Sequence, residues 1–127
     1  MAFSDDLPSI FDLDDALEKV GGDREILEEI LKVFSESYPD QLSELKNAID
    51  SGDAPLVERT AHTLKGSVGT FSAKKALETA FRLETMGRDG QLQEAAAEYS
   101  NLKHEIEELD AALRATLSES QNENPDS

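Results

Sequence analysis

The sequence predicts an all-α protein, an antiparallel up-down four-helix bundle with an additional short N-terminal helix. Ala, Leu, Glu and Lys dominate, and no stretch alternates between apolar and polar residues with period two. Glycine, proline and aspartate fall at intervals that divide the chain into one short and four longer helical segments. Late in the chain, Leu102, Ile106, Leu109, Leu113 and Leu117 step by three and four, the seam of an antiparallel bundle.

The first helix is expected at about 12–20 (DLDDALEKV), with aspartates at its start and glycines 21 and 22 ending it. Asp23 caps a longer helix whose apolar positions Ile26, Leu27, Ile30, Leu31 and Phe34 keep helical spacing. Pro39 removes a backbone donor inside it, so a kink or short break is expected near Ser37 and Tyr38. The stripe resumes with Leu42, Leu45 and Ile49 and stops at Gly52. Asp53 caps the second long segment, with Pro55 in its first turn, where a missing N–H does no harm. The next helix is expected at about 73–87 on Ala73, Leu77, Ala80, Phe81 and Leu83, with Gly87 and Gly90 punctuating its end. The last is expected at about 91–118, starting its stripe with Leu92, Ala95 and Tyr99. The domain limits that follow are an N-terminal extension at 1–11, a helical bundle at 12–118, and a disordered acidic tail at 119–127, where apolar residues are absent.

At 127 residues and 13.9 kDa the chain suits one domain with a single core. Without cysteine there are no disulfides, thiolate metal sites or thiol nucleophiles, which is compatible with a reducing cytosol. The N-terminal stretch has neither the basic start nor the apolar run of a signal peptide, and no stretch nears the roughly 20 apolar residues that span a bilayer. A cytoplasmic protein is therefore expected. The initiating Met and polar tail point to a free-standing protein, although a domain cut from a sensor kinase would look similar. The net charge of −16 repels phosphate backbones and anionic membranes, which argues against nucleic-acid and membrane partners. Between Arg59 and Arg88, however, six basic residues stand against two acidic ones, a local charge of +4. That window is either chance clustering on a solvated surface or a patch suited to a small anion.

The stretch AHTLKGSVG, residues 61–69, decides between them. Two glycines inside a helix each cost on the order of 1 kcal/mol relative to alanine. At about 100° per residue, Val57, Ala61, Leu64, Val68 and Phe71 form one stripe, the expected buried face. His62 lies about 140° from its centre, with Pro55, Arg59, Gly66 and Gly69 on its side and Lys65 one turn on. His62 is thus expected in solvent, beside a cation and bare backbone. His104 has only acidic neighbours opposite the seam and reads as a plain surface residue. An exposed neutral imidazole nitrogen is a competent nucleophile near neutral pH, and Lys65 is placed to stabilise a phosphoryl group carried on it. The glycines remove bulk, so that a partner's active site can close over the ring.

Carboxylate-bridged metal chemistry requires Glu-x-x-His, but Arg59 and Asn101 stand three before the two histidines. HEIEE at 104–108 lacks the second histidine of a zinc protease, and no phosphate-binding glycine loop occurs, so autonomous kinase or ATPase activity is not expected.

The motif H-T-L-K-G-S, with GGD at 21–23, F-x-E-x-x-P-x-Q-L-x-x-L at 34–45, A-I-x-S-G-D before the histidine helix and ALETAFRLE after it, resembles the histidine phosphotransfer (HPt) domains of multistep two-component phosphorelays. The resemblance runs from about Leu13 to Leu113. It implies a four-helix core, His62 as phosphoacceptor and Lys65 as the phosphate-stabilising lysine. It also implies Gly66 as the small residue that admits a receiver domain, a basic residue at Arg88, and a polar side chain at Glu84 facing the histidine helix. The implied partners are a response-regulator receiver domain and a sensor or hybrid histidine kinase. The domain needs no cofactor of its own, with Mg²⁺ on the receiver, and is expected to act as a monomer. Arg59, Gly66, Gly69, Glu84, Arg88 and Leu17 are the candidate partner-binding residues, with Asp14 and Glu18 beside Leu17, although Leu17 reads equally well as core. Many members have glycine where Ser72 stands, and Ser72 is expected to cap the next helix. The alternative is a noncatalytic adaptor that binds receiver or kinase domains without phosphotransfer.

Overall fold

The computed structural model describes residues 10–122, with side chains through Leu117. Five helices follow in order: α1 (Leu13–Lys19), α2 (Arg24–Ser51), α3 (Ala54–Thr70), α4 (Lys74–Asp89) and α5 (Ala95–Asn122), with no strand among the described residues. Short connections at residues 52–53, 71–73 and 90–94 turn each long helix back on its predecessor. Contacts join α2 to α3, α3 to α4, α4 to α5 and α5 back to α2, which closes the four into a bundle, with α1 laid against α2.

The helix starts follow the sequence signals. Asp12, Asp23 and Asp53 each accept a backbone N–H of the first turn, so three helices begin on a carboxylate cap. Gly52 and Gly90 end α2 and α4 in the left-handed region at φ 71° and 69°. The core is the expected one: Val57, Ala61, Leu64, Val68 and Phe71 are fully buried against Leu27, Leu45, Leu83, Leu102, Ile106, Leu109 and Leu113. Between α2 and α5, buried Asp110 receives hydrogen bonds from Ser35, Tyr38 and Arg114. Burial and the neighbouring Asp110 push the Tyr38 hydroxyl up to about 12.

Four details depart from expectation. First, α2 is continuous through Pro39, with no break at Ser37 or Tyr38. The Phe34 and Tyr38 rings pack 5.0 Å apart across the affected turn, and the Tyr38 hydroxyl anchors to Asp110, so tertiary contacts hold the helix where one backbone bond is missing. Second, α4 begins at Lys74 behind Ala73, which makes no side-chain cap; Ser72 is therefore not a cap. It adopts φ 56°, the conformation a glycine would take there, and its hydroxyl donates to Asp15 while accepting from Lys19 at 3.0 Å. Lys19 also reaches the Gly69 carbonyl at 2.7 Å, so α1 is fastened to the end of α3. Third, Phe81 is 48% exposed, and Glu84 takes a buried place on α4 instead. Ile26, expected in the buried stripe of α2, is likewise exposed. Fourth, α5 starts four residues late, at Ala95, and runs to Asn122 into the segment expected as tail; residues 123–127 and 1–9 lie outside the described residues.

Gly87 is not the end of α4 but its closest approach to α3. A methyl group there would stand 2.4 Å from the Glu58 nitrogen and 2.8 Å from the Ala54 oxygen, both backbone atoms that cannot yield cheaply. Gly66 has nothing within 4 Å of the same position. Gly87→Ala is accordingly expected to lower the unfolding free energy by about 1–3 kcal/mol, the range for overpacking. Gly66→Ala is expected to leave it unchanged or raise it by up to about 1 kcal/mol through helix propensity. Urea unfolding of the two variants checks the contrast.

Candidate functional site

The close crossing of α3 and α4 at Gly87 sets the spacing of the residues that α3 and α4 present to each other. His62 stands on the outer side of α3 with its side chain 67% exposed, while Glu84 on α4 is 6% exposed. The imidazole Nδ1 and Glu84 Oε2 are 2.9 Å apart. An ionised carboxylate has no proton to give, so the shared proton sits on Nδ1 and the ring donates. That tautomer leaves the Nε2 lone pair, on the opposite edge of the ring, unprotonated.

Lys65, one turn along α3, places its ammonium 2.7 Å from Glu84 Oε1 as a close ion pair. The same ammonium lies 5.1 Å from the centre of the Phe81 ring, a cation–π contact worth about 0.5–1 kcal/mol at a partly exposed site. Phe81 therefore leaves the core to become one wall of the lysine's position. Arg88, one turn beyond Glu84, completes the cluster with NH2 3.2 Å from Glu84 Oε2 and Nε 3.2 Å from Glu58 Oε2. Two carboxylates and two fixed cations thus balance around the ring. Burial pushes the Glu84 carboxyl up, but Lys65 and His62 together pull it down further, and it lies below the ordinary glutamate range near 4.5.

Of the residues singled out in the sequence, His62, Lys65, Glu84 and Arg88 come together in this cluster. Arg59 is exposed and lines a shallow recess beside His62 with Pro55, Glu58 and Thr63. Gly66 presents open backbone one turn from the histidine. Gly69 does not share that openness: a methyl there would meet Leu77 at 3.2 Å, and its carbonyl is taken by Lys19. Leu17 is half-buried against the core on α1, and Asp14 and Glu18 beside it are exposed. His104 is exposed, 4.0 Å from Glu108. The +4 window does not act as one patch, because Arg82 turns away to Glu98 on α5 while Lys65 and Arg88 are neutralised at Glu84. Glu58 escaped the sequence reading, which gives Phe81 and Gly87 other roles. Glu58 precedes His62 by four residues, as Glu84 precedes Arg88, and that spacing was the available signal. Among the described residues no three His, Asp or Glu side chains are grouped to hold a metal ion, and no helix is long and apolar enough to cross a membrane.

The lowered Glu84 carboxyl predicts a pH dependence. In the window below about 4.5 the unfolded state binds more protons at this group, so its stabilising contribution is present above that window and is lost as pH falls through the folded value. Urea unfolding across this range is expected to give a curve that falls less steeply with acid for Glu84→Gln than for the wild type. Equal slopes would contradict the ion-pair description of Glu84.

The family model of the Hpt domain matches residues 29–112, which include α3, α4 and every member of the cluster. The phosphorelay intermediate protein rdeA of Dictyostelium discoideum is 26% identical over 99 residues, 78% of this chain and 39% of that protein, so the chain spans about two fifths of its curated relative. The crystal structure of histidine-containing phosphotransfer protein B (HptB) from Pseudomonas aeruginosa PAO1 superimposes with a TM-score of 0.77 at 24% identity, covering 89% of this chain and 98% of that one. That likeness is one of fold, and it agrees with the all-α bundle described above. With the family model covering α3, α4 and most of α2 and α5, the chain belongs to the Hpt domain family.

Proposed function

We propose that this protein is a histidine phosphocarrier, with Nε2 of His62 exchanging a phosphoryl group with the aspartate of a response-regulator receiver domain. The observation that carries this reading is the pairing of an exposed ring with a buried carboxylate: His62 is open to a partner, yet its Nδ1 is fixed by Glu84. In the forward step the Nε2 lone pair attacks the phosphorus of the aspartyl phosphate. The N–P bond forms, the acyl P–O bond breaks, and the aspartate leaves as a carboxylate. The phosphorylated ring keeps its Nδ1 proton and is cationic, so the Glu84 carboxylate opposes the new charge on the ring. Lys65 supplies the positive charge for the phosphoryl oxygens. The reverse step follows the same path, which suits a carrier.

The chain supplies no nucleotide-binding loop, and Mg²⁺ and the remaining catalytic groups are assigned to the receiver. The open backbone at Gly66 and the recess lined by Arg59 leave room for a second domain over the ring. On the other flank of α3, exposed Ile26 and Val33 line an apolar groove with Ser67 and Thr70, a surface that a docking domain can cover. The upstream donor in this reading is a sensor or hybrid histidine kinase, acting through such a receiver. The exposed Asp14 and Glu18 and the half-buried Leu17 sit on α1, at the end of the bundle where α3 finishes; in this reading they are assigned to the rim of the docking area. An adaptor without phosphotransfer would require neither the fixed tautomer nor a lysine at its side.

Incubation with a phosphorylated receiver domain is expected to label the protein with an acid-labile, base-stable phosphate. His62→Gln is expected to abolish labelling while the helical content stays intact; unimpaired labelling of that folded variant would refute the site. Lys65→Ala is expected to shorten the phosphohistidine half-life by about tenfold, the equivalent of one charge-assisted hydrogen bond.

A further inference from the structure

Glu84 has two claims on the cations around it. At 6% exposure it is a buried charge, and removing compensation from such a group is strongly destabilising. In the unphosphorylated site its Oε1 is held by Lys65, while Oε2 accepts from both His62 and Arg88. Yet Lys65, one turn along α3 from the ring, has no second carboxylate among the described residues to fix its charge. A phosphoryl group on Nε2 would lie on the far edge of the imidazole from Glu84. To shield its oxygens, the ammonium has to loosen its hold on Oε1 and turn outward, past Phe81.

We propose that Arg88 is a positioning residue for Lys65: it retains the charge of Glu84 while Lys65 turns from that carboxylate to the phosphoryl group on His62. Three features fit Arg88 for this. Its guanidinium binds Glu84 on Oε2, the oxygen Lys65 does not use, so the lysine can leave without competing for the same atom. Its Nε is tied to Glu58 on α3, which holds the fork across the helix pair instead of letting it follow the lysine outward. And the backbone beneath it is fixed, because Gly87 packs directly on Glu58. Without Arg88, Glu84 would keep Lys65 for itself, and the phosphoryl group would lose its counter-charge. The exposed Arg59 lacks this geometry: it lines the recess but has no carboxylate partner among the described contacts.

The inference rests on His62 being the phosphoacceptor, and the experiment keeps the two apart. The protein is phosphorylated with phosphoramidate, a small donor that needs no partner: Nε2 attacks phosphorus, the donor's P–N bond breaks, and ammonia leaves. The half-life of the phosphohistidine is then followed by ³¹P NMR for the wild type, Arg88→Gln, Arg88→Lys, Lys65→Ala and the double variant Arg88→Gln/Lys65→Ala, with melting curves to confirm folding. Arg88→Gln is expected to shorten the half-life by about three- to tenfold. Arg88→Lys is expected to recover only part of it, since lysine restores a positive charge beside Glu84 but not the fork that also ties to Glu58. The double variant is expected to decay no faster than Lys65→Ala alone, because Arg88 acts through the lysine. A wild-type half-life in Arg88→Gln, an Arg88→Lys half-life no longer than that of Arg88→Gln, or an additive loss in the double variant would each overturn the inference. Persistent labelling of His62→Gln would instead overturn the assignment of the phosphoacceptor on which it rests.

Discussion

A single buried carboxylate organises the working side of this bundle. Glu84 sits on the face of α4 where a hydrophobic side chain would pack, and its charge is tolerated only because His62, Lys65 and Arg88 converge on it. That convergence has chemical consequences. It selects the tautomer of the imidazole, it stores the lysine beside the ring, and it draws α3 and α4 into one electrostatic unit. The rest of the fold supplies the conditions: a mainly apolar inner stripe on α3 that fixes its rotation, and a backbone-to-backbone crossing at Gly87 that fixes its distance.

The division of α3 into an inner and an outer side follows directly from the helical period. Val57, Ala61, Leu64 and Val68 repeat at three and four, so His62 could be placed in solvent without coordinates. What the period could not convey was which neighbour His62 would find. From sequence Glu84 reads as a polar side chain facing the histidine helix and a candidate partner contact, not as a buried charge, because a carboxylate at a core-facing position is ordinarily an interruption of a stripe. Phe81 was assigned to the interior for the converse reason: an aromatic ring at helical spacing is usually core. The two exchange places because the Lys65 ammonium gives the ring a partner in solvent and gives the carboxylate a partner inside.

The loops and punctuation were less legible, each for its own reason. Glycine near the end of a helical stripe normally marks a stop, and only the position of the facing Glu58 backbone reveals Gly87 as a contact. Proline in a helix normally marks a bend, but the Tyr38–Asp110 bond keeps α2 running. Ser72 has the composition of a cap and the backbone of a glycine. Its φ of 56° is sustained by Asp15 and Lys19, residues more than fifty positions away in sequence. Local sequence rules have no access to such long-range partners.

The crossing at Gly87 has a mechanical implication. Side chains in a core can change rotamer and yield by tenths of an ångström, whereas the peptide backbones of two helices in direct contact cannot. The α3–α4 pair is therefore stiff under compression one turn from where the imidazole and the carboxylate face each other. A domain that clamps onto the outer side of α3 would meet a firm anvil, which leaves the alignment of the ring undisturbed.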